Sequence, residues 1–145
     1  MIAIGADHRG YKLKEQLKKQ LPDWQWSDVG AFNQDRSDYP VYARLIAQEV
    51  VVGGAACGVA LCGSGVGMAI ALNRQSGVFA AVAHTPSMAA MAKEHDNVNV
   101  LVVPADSVDL NVACEIIKAW NQAQFIGGRY KQRLDMIDDY SYKLI

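Results

Sequence analysis

The sequence predicts an α/β fold in which helices cover both faces of a parallel sheet. Short apolar runs alternate with amphipathic segments along the chain, and glycine or proline residues separate many of them. Alternating strands and helices are typical of such a sheet. With 145 residues, 51% of them hydrophobic, the chain is long enough for one substantial core and short for two ordinary domains. We therefore expect one domain over residues 1–145.

The N-terminal residues predict a strand, a helix and a second strand. The apolar run 1–6 is typical of a short strand, and a polar turn leads from it into an amphipathic helix over 11–21. The leucines of that helix fall on one stripe, and Pro22 ends it. Residues 24–29 predict the second strand, and a loop over 30–36 follows.

The central residues predict a helix, a buried strand and another helix. Asp38 and Pro40 are typical of a helix start, and the pattern continues to about Val52. The uninterrupted apolar run 58–61 predicts a strand that is buried on both faces. Good helix formers over 68–73 indicate that a helix follows the glycine-rich turn after this strand.

The remaining elements repeat the alternation. Apolar runs predict strands over 78–83 and 98–103, and Thr85 with Pro86 begins a helix between them that ends near His95. The C-terminal residues predict two more helices: one capped by Ser107 or Asp109 and reaching Trp120, and a charge-rich one over 129–141.

The turn after the central strand is the most informative feature for function. Cys62 ends an apolar strand, and glycines at 63, 65 and 67 lead into a helix at the edge where parallel sheets bind ligands. Glycines allow backbone N–H groups to approach an anion closely, and the helix adds the positive end of its dipole. The same field is expected to favour Cys62 as a thiolate.

A purely structural interpretation of this turn is also open. Glycines are common in strand-to-helix turns for tight packing alone, and a cysteine at a strand end is usually a small buried side chain. The sequence contains neither a complete phosphate-binding Walker loop nor the full GxGxxG pattern of dinucleotide sites. The turn also lacks the GxSxG spacing of a nucleophile elbow.

Two polar clusters carry further candidate residues. Asp7, His8 and Arg9 follow the first strand, so they are predicted at the same sheet edge as Cys62. Alternatively, Asp7 caps the first helix and His8 is an ordinary turn residue. His95 lies in a dense polar segment, where it is either a general acid/base or a histidine at a solvated helix end.

Composition excludes several classes of partner. The chain has 14 basic and 15 acidic side chains without a block of one sign, which argues against nucleic acid or a membrane surface. The sequence opens without a signal peptide, and no apolar run is long enough to span a membrane. Three cysteines without CxxC spacing argue against a disulfide framework and a metal site. We therefore expect a cytoplasmic protein with a small-molecule ligand.

Several segments together resemble the type B ribose-5-phosphate isomerases and the related galactose-6-phosphate isomerase subunits. In chain order they are IGADHRGYKLK, DVG, RSDYPVYA, LCGSGVGMAIALN, HDNVNVL and GGRYKQR. The resemblance covers nearly the whole chain. It implies a three-layer α/β/α sandwich with a Rossmann-like, five-stranded parallel sheet, no cofactor, and a homodimer or tetramer with shared active sites. The helix over 129–141 is then expected to contribute to the dimer or the active site.

The resemblance also implies roles for individual residues. Cys62 corresponds to the base that moves a proton through an enediol intermediate, and His95 to the residue that assists opening of the sugar ring. Ser64 and the N–H groups of the turn glycines correspond to donors that stabilise the enediolate oxygen. The implied substrate-binding residues are Asp7, His8, Gly63, Gly65, Gly67, Asp96, Asn97, Arg129 and Arg133. Because Met68 cannot accept a proton where some relatives have a glutamate, the chain resembles the branch that uses a thiol.

Two positions depart from the family pattern. Asp106 stands where the pattern has a phosphate-binding arginine, and Phe79 replaces another usual arginine. An aspartate beside a phosphate weakens binding, so Asp106→Arg is expected to tighten it unless Asp106 pairs with a cation such as Arg129.

Three functions remain open from the sequence. The first is isomerisation of a sugar phosphate of the ribose 5-phosphate type or of one with four or six carbons. The second is a non-catalytic subunit that binds a sugar phosphate, and the third is a nucleotide-binding module.

Overall fold

The computed structural model describes residues 1–139 and contains one five-stranded sheet whose strands are all parallel. The spatial strand order is β2-β1-β3-β5-β4. The strands are β1 (Ile2–Ala6), β2 (Trp26–Asp28), β3 (Cys57–Cys62), β4 (Ala80–Val82) and β5 (Val100–Pro104). The predicted α/β fold is confirmed, with β3 at the centre of the sheet.

Residues 1–139 contain six helices, of which the first five cover the two faces of the sheet and the sixth buries no residue. They are α1 (Tyr11–Gln20), α2 (Tyr39–Val51), α3 (Val66–Asn73), α4 (Pro86–Asp96), α5 (Leu110–Gln122) and α6 (Arg129–Ile137). One core cluster joins the sheet to α1, α4 and α5, and a second joins the opposite face to α2 and α3. None of the helices in residues 1–139 has the length and apolar character needed to cross a membrane.

Helix boundaries follow local capping chemistry. The side chain of Asp109 accepts a hydrogen bond from the N–H of Val112 at 2.9 Å, so Asp109 rather than Ser107 caps α5. Helix α3 begins at Val66, two residues before the predicted start, because Gly65 adopts a left-handed conformation directly before it. Helix α6 ends at Ile137, and positions 140 and 141 of the predicted helix lie outside the described residues.

The outer strands are shorter than the apolar runs that predicted them. Strands β2 and β4 contain three residues each, and each pairs with one neighbour only. Trp24 precedes β2, and its ring stacks on Trp26 at 5.4 Å instead of extending the strand. An apolar residue can therefore contribute to the core without joining the strand ladder.

The register of the three central strands brings three loops together. Ala6 of β1 pairs with Leu61 of β3, and Cys62 pairs with Pro104 of β5. The loops after β1, β3 and β5 therefore leave the sheet side by side at its carboxyl edge. This edge is where the predicted ligand site lies.

Candidate active site

Backbone hydrogen bonds fasten the three loops of the carboxyl edge to one another. The N–H of Asp7 donates to the carbonyl of Leu61 at 3.3 Å, and the N–H of Asp106 donates to the carbonyl of Gly63 at 3.0 Å. A Cβ atom on Gly10 would lie 2.7 Å from the Cβ of Leu61, so only glycine permits this close approach. Side chains on these loops therefore occupy defined positions around Cys62.

The thiol of Cys62 is buried at the end of β3, with 4% of the residue exposed. The N–H of Gly65 donates a hydrogen bond to Sγ at 3.2 Å. Burial raises the pKa of the thiol above its ordinary value, although the N–H groups of Gly65 and Met68 act in the opposite direction. The charge of Asp7 raises this pKa further and that of Arg9 lowers it. The N–H groups of the turn therefore favour the thiolate as expected, but burial outweighs them and the net shift of the Cys62 pKa is upward.

Close packing around the turn requires glycine at two of its positions, 65 and 67. Gly65 has φ +82°, and a Cβ atom there would approach Val82 at 3.0 Å. A Cβ atom on Gly67 would lie 2.5 Å from the ring of Tyr39. Ser64 is exposed at the mouth of the turn, by which we mean the solvent-facing side of residues 63–65, and its hydroxyl accepts the N–H of Val66 at 3.3 Å. Gly65 therefore directs its N–H at the thiol, while Ser64 faces the solvent.

Asp7 and His8 are held by the local backbone. The Asp7 side chain is 5% exposed and accepts the N–H groups of Arg9 and Gly10 at 3.0 and 3.1 Å. It thus holds the turn before α1, whose N-cap residue is Gly10. The Nδ1 atom of His8 lies 2.9 Å from the carbonyl oxygen of Ser37. This contact fixes the imidazole on one side and leaves Nε2 for another partner.

Arg9 and Asp106 form an ion pair across the mouth of the turn. A Cβ atom on Gly63 would lie 2.6 Å from Arg9 Cζ and 2.8 Å from Asp106 Oδ2, so the pair rests directly against this glycine. Asp106 therefore pairs with a cation, as one alternative from the sequence had it, but within one chain the cation is Arg9 and not Arg129. The sequence analysis placed Arg9 in the polar cluster after β1 but gave it no role of its own. The signal for this pair was the presence of opposite charges after β1 and β5, the two strands that flank β3.

The other predicted residues form a separate cluster around Tyr130. The ring of His95 stacks on that of Tyr130 with centroids 4.3 Å apart and an angle of 4°. The guanidinium groups of Arg129 and Arg133 lie over the same ring, 5.1 and 5.8 Å from its centroid. The N–H of Ile126 donates to the carbonyl of Glu94 at 3.0 Å and ties the segment before α6 to α4. Sequence reasoning missed Tyr130, which lies between the two arginines in GGRYKQR.

This second cluster lies at the opposite, amino edge of the sheet. Helix α4 starts after the carboxyl end of β4 and ends before β5 begins, so His95, Asp96 and Asn97 lie near the start of the strands. The N–H of Gly58, near the start of β3, donates to the carbonyl of Asn99 at 2.9 Å and confirms this placement. The length of β3, roughly 17 Å, separates the two edges.

One chain therefore carries two partial sites. The carboxyl edge holds Asp7, His8, Cys62, Gly63, Ser64, Gly65 and Gly67, and the amino edge holds His95, Asp96, Asn97, Arg129 and Arg133. A cavity of about 500 Å³ that includes Phe79 also lies at the amino edge, away from Cys62. Across residues 1–139, no group of three or more His, Cys, Asp or Glu side chains is arranged to hold a metal ion.

Comparison with known proteins agrees with this geometry. A sequence model described as Ribose/Galactose Isomerase matches residues 2–137. Ribose-5-phosphate isomerase B of Escherichia coli is 38% identical over 138 residues, which are 94% of this chain and 93% of the relative. A putative sugar phosphate isomerase of Bacillus subtilis is 34% identical over 145 residues, which are 98% of this chain and 97% of the relative.

Solved structures show the same fold. A ribose 5-phosphate isomerase from Thermotoga maritima has a TM-score of 0.92 and 37% identity, covering 94% of this chain and 96% of its own. Ribose-5-phosphate isomerase B from Mycoplasma genitalium, solved with bound ribulose-5-phosphate, has a TM-score of 0.87 and 34% identity, with 94% and 92% covered. The chain belongs to the ribose/galactose isomerase family.

Proposed function

We propose that the chain interconverts ribose 5-phosphate and ribulose 5-phosphate through an enediol, with Cys62 as the base. The observation that carries this proposal is the buried thiol at the carboxyl end of β3, beneath a glycine turn and beside Asp7 and Arg9. The names of the Escherichia coli and Mycoplasma genitalium relatives support the reaction and the substrate.

The reaction moves one proton between adjacent carbons. The Cys62 thiolate removes the proton from C2 of the open-chain aldose, and the electron pair forms the enediolate with charge on the C1 oxygen. The resulting thiol returns the proton to C1, and the proton of the C2 hydroxyl passes to the C1 oxygen as C2 becomes a carbonyl, which gives the ketose and restores the thiolate. The raised pKa of Cys62 leaves a smaller thiolate fraction at neutral pH but makes each thiolate a stronger base.

The donors around the thiol suit the developing charge. Ser64 is exposed at the mouth, and the N–H groups of the glycine turn lie at the start of α3. A single donor of this kind contributes roughly 3 kcal/mol to transition-state stabilisation. Asp7, whose carboxylate is buried at the same edge, is in place to orient a sugar hydroxyl.

A homodimer completes the site. The two residues assigned to proton transfer and ring opening lie at opposite edges of one chain, Cys62 at the carboxyl edge and His95 at the amino edge, so they can meet only between two copies. Exposed apolar side chains on α3 and α4 provide a surface for association: Val66, Ile70, Met88 and Met91. In the dimer, α6 of one copy would bring Arg129 and Arg133 to the phosphate held at His8 of the other copy.

Mixing two inactive variants tests the shared site. Cys62→Ala and His95→Asn homodimers are each expected to lose activity on ribose 5-phosphate. After denaturation and joint refolding, half of the dimers carry one intact site, so about a quarter of wild-type activity should return. Refolding of each variant alone is the control. If the mixture stays as inactive as its components, the site is not shared.

The substrate is tested with a panel of aldose phosphates of four, five and six carbons, with the free sugars alongside. Ribose 5-phosphate is expected to give the highest kcat/KM. If a sugar phosphate of another chain length gives a higher kcat/KM, that sugar phosphate is the substrate instead. Absence of turnover with binding retained would favour a non-catalytic subunit. The three free thiols support a reducing, cytoplasmic location.

A further inference from the structure

The charges at the carboxyl edge are arranged in a way that the family pattern does not predict. The position of the usual phosphate-binding arginine carries Asp106, and the guanidinium at this edge comes instead from Arg9, on the loop after β1. The neighbouring polar groups already have partners in the chain. Asp7 accepts two backbone N–H groups, and His8 is held by Ser37.

The guanidinium of Arg9 lies in a defined place. Its Nε and Cζ atoms would be 2.7 and 2.6 Å from a Cβ atom on Gly63, so the planar group lies against the bare Cα of the turn. One terminal nitrogen donates to Asp106, whose own N–H is bonded to the carbonyl of Gly63 at 3.0 Å. The guanidinium has five N–H bonds in all, and within residues 1–139 Asp106 is its only side-chain acceptor, so the remaining donors can serve a second acceptor.

We propose that Arg9 is an anion-binding residue of this mouth and that Asp106 is its built-in counter-ion, which limits the affinity for anions. The inference rests on the proposed function only in naming a sugar phosphate as the natural anion. The side chains of Arg9 and Asp106 are 57% and 43% exposed, so a phosphate reaches the guanidinium without any rearrangement of the core.

The two charges give this proposal a distinctive consequence. If the pair were only structural, removing either partner would break the same contact and change ligand binding in the same direction. If Arg9 binds the anion, removing Arg9 weakens binding, whereas removing the charge of Asp106 strengthens it. The direction of the two effects therefore separates the two roles.

The experiment measures binding of inorganic phosphate to the full-length protein by calorimetry. Arg9→Gln is expected to weaken binding about tenfold, and Asp106→Asn to strengthen it about threefold. Lys19→Gln and Glu115→Gln remove the same charges from exposed positions on α1 and α5 and should change binding less than twofold. The proposal would be overturned if Arg9→Gln and Asp106→Asn changed phosphate affinity in the same direction, or if neither variant changed it.

Turnover separates this inference from the proposed function. Arg9→Gln should raise KM for ribose 5-phosphate about tenfold with kcat within about threefold, because the contact is made before and during reaction. Arg9→Lys should recover part of the loss, since a lysine keeps the charge but not the planar fork. Suppose that no sugar phosphate is isomerised, but that Arg9→Gln still weakens phosphate binding and Asp106→Asn still strengthens it. The proposed function then fails and the role of Arg9 stands.

Discussion

The Sγ atom of Cys62 accepts a hydrogen bond from the N–H of Gly65, 3.2 Å away, inside a turn that also buries the thiol. The two influences oppose each other, because burial favours the neutral thiol while the N–H favours the thiolate. Burial dominates and raises the pKa. The thiol is therefore largely protonated in the free protein near neutral pH, and the hydrogen bond holds the sulfur in place.

Cys62→Ala should leave the fold intact and abolish proton transfer, because alanine keeps the strand end packed and removes the base. The measurement is exchange of the substrate C2 proton with deuterated solvent. Cys62→Ser should not restore exchange, since a hydroxyl is far less acidic than a thiol. Cys114→Ala, at a buried position on α5, is the matched control and should exchange normally. Near-normal exchange in Cys62→Ala would remove the thiol from the mechanism.

The raised pKa of Cys62 predicts the pH dependence of its alkylation. In a Cys57→Ala, Cys114→Ala background, the rate with iodoacetamide should keep rising above pH 8.5, the ordinary thiol pKa, and level off only at higher pH. The same protein in urea should level off near 8.5. The folded protein also binds this proton more tightly than the unfolded chain, so the thiol's contribution to stability is lost as pH rises through its folded pKa. A plateau below the urea value would contradict the shift.

Asp28→Asn should destabilise the protein because it removes the nearer counter-charge of a buried cation, Lys14, which then keeps only its 3.2 Å pair with Glu15. Lys14 has no exposed side-chain surface, and its Nζ donates to both carboxylate oxygens of Asp28 at 2.6 and 2.8 Å. The expected loss in the free energy of unfolding, measured with urea, is about 3 kcal/mol. Asp135→Asn, which breaks an exposed pair with Lys131, is the control and should cost less than about 0.5 kcal/mol.

The same group predicts a difference in acid stability. Burial opposes ionisation of Asp28, but hydrogen bonds from Lys14 and Lys18 outweigh it and hold the pKa below its ordinary value. Its stabilising contribution is therefore present above the ordinary carboxyl range and is lost as pH falls through the lowered pKa. Wild type should lose more stability on acidification than Asp28→Asn. Parallel losses in the two proteins would show that Asp28 is not ionised by preference in the folded state.

His95→Asn should impair cyclic substrates more than open-chain ones, because only the former need ring opening. The comparison is kcat/KM for ribose 5-phosphate against a four-carbon sugar phosphate that is too short to form the ring. His95 stacks on Tyr130, so Tyr130→Phe is a useful second variant. It keeps the ring contact and should leave the ratio of kcat/KM for the two substrates as in the wild type. Equal losses on both substrates in His95→Asn would contradict a role in ring opening.

Sequence patterns predicted the layered fold and the position of Cys62, because a buried parallel strand and a glycine turn have strong local signatures. The position of His95 was also within reach. A helix that starts at the carboxyl edge must return to the amino edge, so His95 near the end of α4 is remote from the Cys62 of its own chain. The residue types alone did not show this separation.

The buried charges could not be predicted locally. Lys14 is next to Leu13 in the amphipathic helix α1, where a lysine is ordinarily solvated. Its burial depends on Asp28, which lies on strand β2. Arg9 and Asp106 are 97 positions apart, and their contact depends on the order of β1, β3 and β5. Such pairings follow from the topology of the sheet, which cannot be read from any short segment of the sequence.

The separation of the two partial sites along the strands also constrains how copies assemble. For the carboxyl edge of one copy to meet the amino edge of another, the two-fold axis must run perpendicular to the strands, so the two sheets are antiparallel. In the proposed dimer both sites would form in a single association step and open toward opposite ends. Catalytic output would then be tied to concentration, and dilution below the dimer dissociation constant should reduce specific activity.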